Sequence, residues 1–255
     1  MASVLTRTED AVGYLTLNAP DRLNAVDAAM LATLDSTIAE FDADPQIRAI
    51  VITGEGRGFC SGAHLAMDLS GGGGVDATLF GASQLVRRMT ESATPIIAAV
   101  NGVAAGVGLS IALAADYVLA VEEATFVLAF SNIGLMPDGG ATALVAASIG
   151  RARAVRMALT AERVPAPTAA EWGLIADCVP RAHFAGRLGE VVARMTALAP
   201  RSVALTTAAI NAATLDLDAA LAREEKGQGE LLRSSDFIEG VSAFWAKRAP
   251  EFTGR

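Results

Sequence analysis

The sequence predicts an α/β fold that gives way to helices in its last third, on three observations. First, two short β-rich runs, Val4 to Thr8 and Val12 to Leu17, flank Glu9 and Asp10, with Gly13 at the start of the second, the pattern of an antiparallel pair with a tight connection. Second, an apolar strand-like run is twice followed by a glycine-rich turn and a helix. Third, from Arg151 onward the apolar residues recur at helical spacing over stretches too long for strands.

The elements follow in order. After the turn Asn18-Ala19-Pro20-Asp21, Asp27 is placed to cap a helix whose apolar face is Met30, Leu31, Leu34, Ile38 and Phe41, and Asp44-Pro45 ends it. Ala49 to Thr53 is a β-branched strand, Gly54 to Gly62 a glycine-rich loop, and Gly71 to Gly74 a mobile loop before a helix through Leu79, Leu85, Val86 and Met89. Ile96 to Val100 repeats the theme, turning at Asn101-Gly102 into a helix that starts near Gly106. Tyr117 to Val121 is a further strand, and Met136 to Gly140 introduces a helix through Leu144 to Ile149. Val191 to Leu198, Val203 to Ala213 and Leu231 to Trp245 read as the C-terminal helices.

With 255 residues and 52% hydrophobic content, the chain can bury a substantial core. A formal net charge of -8 opposes general affinity for nucleic acid, so an anionic ligand must be met by local groups. Ser92 to Ala115 carries no charge and is long enough to span a bilayer, but Pro95, Asn101, Gly102, Gly106 and Gly108 interrupt it, the mark of a buried strand and helix. Two cysteines, Cys60 and Cys178, make no disulfide framework, and MASVLTRTED has neither the basic segment nor the apolar run of a secretory signal, which points to the cytoplasm.

Chemistry has few candidates. Neither histidine, His64 or His183, neighbours a convincing nucleophile, and no G-x-S-x-G elbow occurs. Cys60 reads as a small buried hydrophobe, with a reactive thiolate as the alternative. No ligand spacing indicates a metal. Gly102, Gly106 and Gly108 lack the G-x-G-x-x-G order of a dinucleotide turn, and no acidic residue follows to hold a ribose. The turns at Gly58 to Ala63 and Gly102 to Gly108 each follow a strand, however, and can aim a backbone N–H at one point, as an oxyanion hole requires.

The segments GRGFCSGAHL, PIIAAVNGVAAGVGLSIALAADYVLA, FVLAFSNIGLMPDGG and EGVSAFWAKRAPEF, in this order, resemble the crotonase (enoyl-CoA hydratase/isomerase) superfamily from Leu15 to Phe252. The AFSNIGLMPDGG and VSAFWAKRAPEFTG runs are most similar to its epoxyphenylacetyl-CoA isomerase branch, which acts in phenylacetate breakdown. The resemblance implies a crotonase fold: a repeated ββα core over 1–198 and a C-terminal helical trimerisation subdomain over 199–255, assembled as a homotrimer or a dimer of trimers. It also implies an acyl-CoA thioester substrate, with coenzyme A part of the substrate and no prosthetic group, and an oxyanion hole from the N–H groups of Ala63 and Val107. Family hydratases carry two glutamates where this chain has Ser110 and Phe130, so the acid–base pair for adding water is missing.

Asp138 stands where the ring-isomerase branch has its catalytic aspartate, and one carboxylate suffices to move a proton beside a thioester. The bland reading of Asp138 is an N-cap for the following helix. By the same resemblance Arg22, Leu23, Ala63 and Leu65 line the coenzyme A path, while Phe244 and Lys247 reach a neighbouring subunit's nucleotide. Ala19 replaces the family's usual basic residue, and Lys247 with Arg248 also suits a solvated helix end. His64, where most relatives have aspartate, is expected to brace its loop, the alternative being a phosphate contact. The preferred function is isomerisation of an unsaturated acyl-CoA. The alternatives are hydration of a 2-enoyl-CoA by Asp138 and a water on Ser110, non-catalytic acyl-CoA binding, and, more remotely, a nucleotide-dependent oxidoreductase.

Overall fold

The computed structural model describes residues 3–64 and 73–254. Strands β1 (Val4–Glu9) and β2 (Val12–Leu17) pair antiparallel in a register running from Val4–Leu17 to Glu9–Val12. Helix α1 (Ala28–Ala43) follows, and the Asp27 carboxylate caps it by accepting from the Met30 N–H at 2.9 Å.

The chain then repeats one unit three times. Each pass lays a strand in a larger sheet, a three-residue strand in a smaller sheet, and then a helix. The passes are β3 (Ala49–Gly54), β4 (Gly58–Cys60) and α2 (Gly73–Glu91); β5 (Ile96–Val100), β6 (Val103–Ala105) and α3 (Val107–Leu113); and β7 (Tyr117–Val121), β8 (Thr125–Val127) and α4 (Ala141–Thr160). Then β9 (Val164–Pro165), α5 (Ala166–Trp172), β10 (Asp177–Val179) and α6 (Arg181–Thr196) complete both sheets, and α7 (Pro200–Thr214), α8 (Leu217–Leu231) and α9 (Ser235–Ala246) finish the chain. The larger sheet runs β1-β2-β3-β5-β7-β10, parallel from β2 onward, and the smaller runs β4-β6-β8-β9. This is the repeated ββα architecture of the crotonase fold.

Period-two alternation sorts the large sheet's side chains between two cores. Ile50, Ile52, Ile96, Ala98 and Val100 face the main core. Ala49, Val51, Ile97 and Ala99 face Val191 and its neighbours on α6. Both faces are covered, which is why these strands read as continuous apolar runs. Ser92 to Ala115 is thus β5, β6 and α3, and no helix among the described residues is long and apolar enough to cross a membrane.

Four expectations need correction. The loops expected at Gly54 to Gly62 and after Asn101 contain β4 and β6, strands too short to show alternation. Of the four glycines expected to form a loop, Gly73 and Gly74 open α2, and Gly71 and Gly72 lie outside the described residues. Leu231 to Trp245 is interrupted at Ser234, whose hydroxyl accepts from the Phe237 N–H and starts α9. The helix expected through Leu144 to Ile149 runs on to Thr160, bending at Gly150, whose φ of 74 and ψ of 163 are not helical.

Candidate active site

The small sheet's strand ends bring the two glycine turns together. In the isolated bridge between Val26 and Ala63, the Val26 N–H donates to the Gly62 carbonyl and the His64 N–H to the Val26 carbonyl, both at 2.8 Å. Ala63 itself makes neither bond, so its N–H points away from Val26. Val107 is the first residue of α3, where helix geometry leaves the N–H without an intrahelical partner. Neither N–H donates to an acceptor among the described residues.

Two glycines make this approach possible. Gly106 caps α3 at φ 54, ψ -129, a conformation that side chains rarely adopt, and its carbonyl accepts from the Leu109 and Ser110 N–H groups. Gly108 packs directly on β4: a Cβ there would sit 2.4 Å from the Cys60 carbonyl oxygen. Gly108→Ala must therefore push α3 away from β4. The expected cost is about 1–3 kcal/mol of stability, read as a lower urea midpoint, with turnover falling as the two N–H groups separate.

Ala63, Val107 and Asp138 line one cavity of about 580 Å³, together with Arg22, Leu23, His64 and Phe130. Asp138 precedes α4 but does not cap it. Its carbonyl accepts from the Ser110 hydroxyl at 2.8 Å and the Ala141 N–H at 3.2 Å, and the residue lines the cavity. Glu224 of α8 occupies the capping place instead, accepting from the Gly140 N–H at 2.6 Å and the Thr142 N–H at 2.8 Å. The cap reading of Asp138 fails because a residue 86 positions later supplies the acceptor (224 − 138).

The Asp138 oxygens differ. Oδ2 accepts from Gln228 Nε2 at 2.8 Å, whereas Oδ1 is buried and has no hydrogen-bond partner. Burial pushes the Asp138 carboxyl up to about 7; the Gln228 hydrogen bond acts against this and the charge of Glu224 adds to it. Among the described residues lining the cavity, Asp138 is the only carboxylate.

The cavity mouth is braced by Arg22, which donates to Asp27 at 2.8 Å and lies 3.0 Å from His64 Nδ1. A guanidinium only donates, so Nδ1 is the acceptor and ties His64 to Arg22. Leu23, at φ 52, accepts from the Ser61 N–H at 3.0 Å and ties this segment to the β4 exit. Phe244 lines the cavity of its own chain, but Lys247 does not; it closes α9 at φ 52. Arg248 pairs with Glu239 at the same helix end. Leu65 lies outside the described residues. Cys60 is fully buried, and burial pushes its thiol up to about 12, the inert reading.

Sequence reasoning missed Glu224, Gln228 and the cavity-lining Arg163. A signal existed for the first two: spaced i and i+4, they share a face of α8 with the buried Ala220 and Leu221.

The enoyl-CoA hydratase/isomerase family model matches residues 7–255. The chain belongs to this family. The 1,2-epoxyphenylacetyl-CoA isomerase of Escherichia coli is 40% identical to this family member over 266 residues, covering 100% of both chains. A probable enoyl-CoA hydratase of Rhodobacter capsulatus is 42% identical over 248 residues, covering 96% of each. The crystal structure of an enoyl-CoA hydratase from Mycobacterium avium subsp. paratuberculosis is 44% identical and superposes with a TM-score of 0.93 over 99% of each chain. The protein is an acyl-CoA enzyme of the hydratase/isomerase family, and its relatives carry names from both branches.

Proposed function

We propose that this enzyme isomerises an unsaturated acyl-CoA, moving one proton through Asp138 while the Ala63 and Val107 N–H groups hold the thioester oxygen. The observation that carries this reading is the buried, unpartnered Oδ1 of Asp138 in a cavity whose described lining offers no second carboxylate. With a 3-enoyl thioester, Oδ1 takes a proton from C2 and the C2–H electrons enter a dienolate whose charge rests on the carbonyl oxygen. The two N–H donors stabilise that charge in a site fixed in advance. Oδ1 then returns the proton to C4, and the double bond has moved from C3–C4 to C2–C3. Ring isomerisation of a more elaborate acyl group uses the same proton-moving base.

Hydration is the second reading, because two similar proteins are named hydratases. It needs an acid as well as a base, and the Ser110 hydroxyl donates to the Asp138 carbonyl rather than standing free to deliver a proton to substrate. Arg163, and Arg22 although it is shared with Asp27, offer positive charge on the cavity for the coenzyme A phosphates despite the acidic chain. The reading includes a homotrimer or pair of trimers assembled through 199–255. The exposed Leu205, Ile210 and Ile238 of α7 and α9 offer apolar surface for such contacts, and light scattering on the purified protein checks the mass.

A base must be ionised to act, so kcat/KM for 3-enoyl-CoA isomerisation should rise with pH through about 7 and then level. Stability should move the other way. A carboxyl raised in the folded state favours folding below its unfolded value and loses that contribution as pH climbs through about 7. The melting temperature of Asp138→Asn should therefore gain on wild type between about pH 4 and pH 8. A flat rate profile, or a gap that narrows over that range, contradicts the assignment.

A further inference from the structure

Two buried polar residues on α8 stand beside the Asp138 loop: Gln228 lines the same cavity as Asp138, and Glu224 does not. Glu224 and Gln228 are each 1% exposed. They lie one helical turn apart and point to the loop that carries Asp138. Gln228 holds that loop at both ends of its amide. Its Oε1 accepts from the Met136 N–H at 3.2 Å, and its Nε2 donates to Asp138 Oδ2 at 2.8 Å. A backbone N–H can only donate, so the Met136 contact fixes which end of the amide is oxygen, and Nε2 must face the carboxylate. Oδ2 is thereby occupied and Oδ1 left without a hydrogen-bond partner.

Glu224 acts from the other side. It gathers the Gly140 and Thr142 N–H groups and the Thr142 hydroxyl, and so holds a carboxylate beside Asp138 without hydrogen bonding to it. The other basic side chains lining the cavity are Arg22, Arg163 and His64, none of which hydrogen-bonds to Asp138. Ser110 of α3 meets only the Asp138 carbonyl.

We infer that Glu224 and Gln228 are a pair of positioning residues that hold the Asp138 loop from opposite sides: the Gln228 amide ties the Met136 N–H to Asp138 Oδ2, and the Glu224 carboxylate gathers the N–H groups that follow Asp138. The amide donor thereby favours the ionised carboxyl of Asp138, and the nearby Glu224 charge the protonated one. The inference rests on Asp138 being the proton-moving group. A buried helix cap and a loop brace would also explain the contacts, but that role alone predicts lost stability and no change in the titration of Asp138.

The two roles separate by the direction of a shift. Removing the donor with Gln228→Leu should move the rising limb of kcat/KM up by about one pH unit, and removing the charge with Glu224→Gln should move it down by about one. In Gln228→Leu, kcat falls about tenfold below about pH 7, whereas Glu224→Gln keeps or gains turnover there, and in both KM stays within about threefold. Carboxyl carbon NMR, with the Asp138 signal identified by its loss in Asp138→Asn, reads the same two shifts without turnover. Because Glu224 also caps α4, the Gln228 arm decides the matter if Glu224→Gln does not fold. Limbs and NMR titrations that stay at the wild-type pH, or move in the same direction in both variants, overturn the inference. An Asp138→Asn enzyme with full isomerase activity overturns the proposed function instead, whatever the two positioning variants do.

Discussion

Asp138→Asn should lower kcat for 3-enoyl-CoA isomerisation by about 10²–10⁴-fold, the usual contribution of a positioned acid–base group. The substitution is nearly isosteric. Asparagine can still accept from Gln228 Nε2, and its backbone carbonyl can still accept from Ser110 and Ala141. Binding of a saturated acyl-CoA should therefore hold within about threefold while turnover collapses, the signature of an interaction used only on the way to the transition state. The variant should also fold at least as well as wild type at neutral pH and above, because it removes a carboxylate whose burial opposes its charge. Stopped turnover with intact binding and intact folding is the full expected result; parallel loss of all three would mean that Asp138 is only a structural brace.

The second large effect is expected at a backbone atom. Val107→Pro deletes one N–H and little else, because Val107 is the first residue of α3 and its N–H has no intrahelical partner to lose. Proline is at home at that position, and Gly106 before it has no Cβ to clash with the ring. The loss of side-chain packing at a residue only 3% exposed should cost about 1 kcal/mol. One oxyanion donor is worth about 10²–10³ in kcat, so turnover should fall by that factor with the melting temperature only slightly lowered. Steady-state rates and thermal melts on the same preparation check this. If Val107→Pro turns over like wild type, the thioester oxygen is held elsewhere.

How much of this was legible in the sequence follows from the range of each interaction. The glycine turns at Gly58 to Ala63 and Gly102 to Gly108 are local, and their convergence was readable because each follows a strand. The partner strands β4 and β6 were not, since three residues cannot display a period of two. The cap of α1 by Asp27 was correct because the acceptor sits three residues from its donor. The equivalent guess for Asp138 and α4 failed because Glu224, remote in sequence, takes those donors. The resemblance supplied Asp138, Ala63 and Val107. Only the folded chain puts Gln228 against one oxygen of Asp138 and leaves the other bare.

The central claim is that a single carboxylate relocates a proton rather than adding water, and one comparison tests it. Wild-type enzyme is given a 3-enoyl-CoA and, separately, the matching 2-enoyl-CoA, and the products are followed by mass spectrometry. Isomerisation leaves the mass unchanged, whereas hydration adds one water. Fast conversion of the 3-enoyl ester at constant mass is expected, with little hydrated product from either ester. Rapid hydration of the 2-enoyl ester with no isomerisation of the 3-enoyl ester would contradict it.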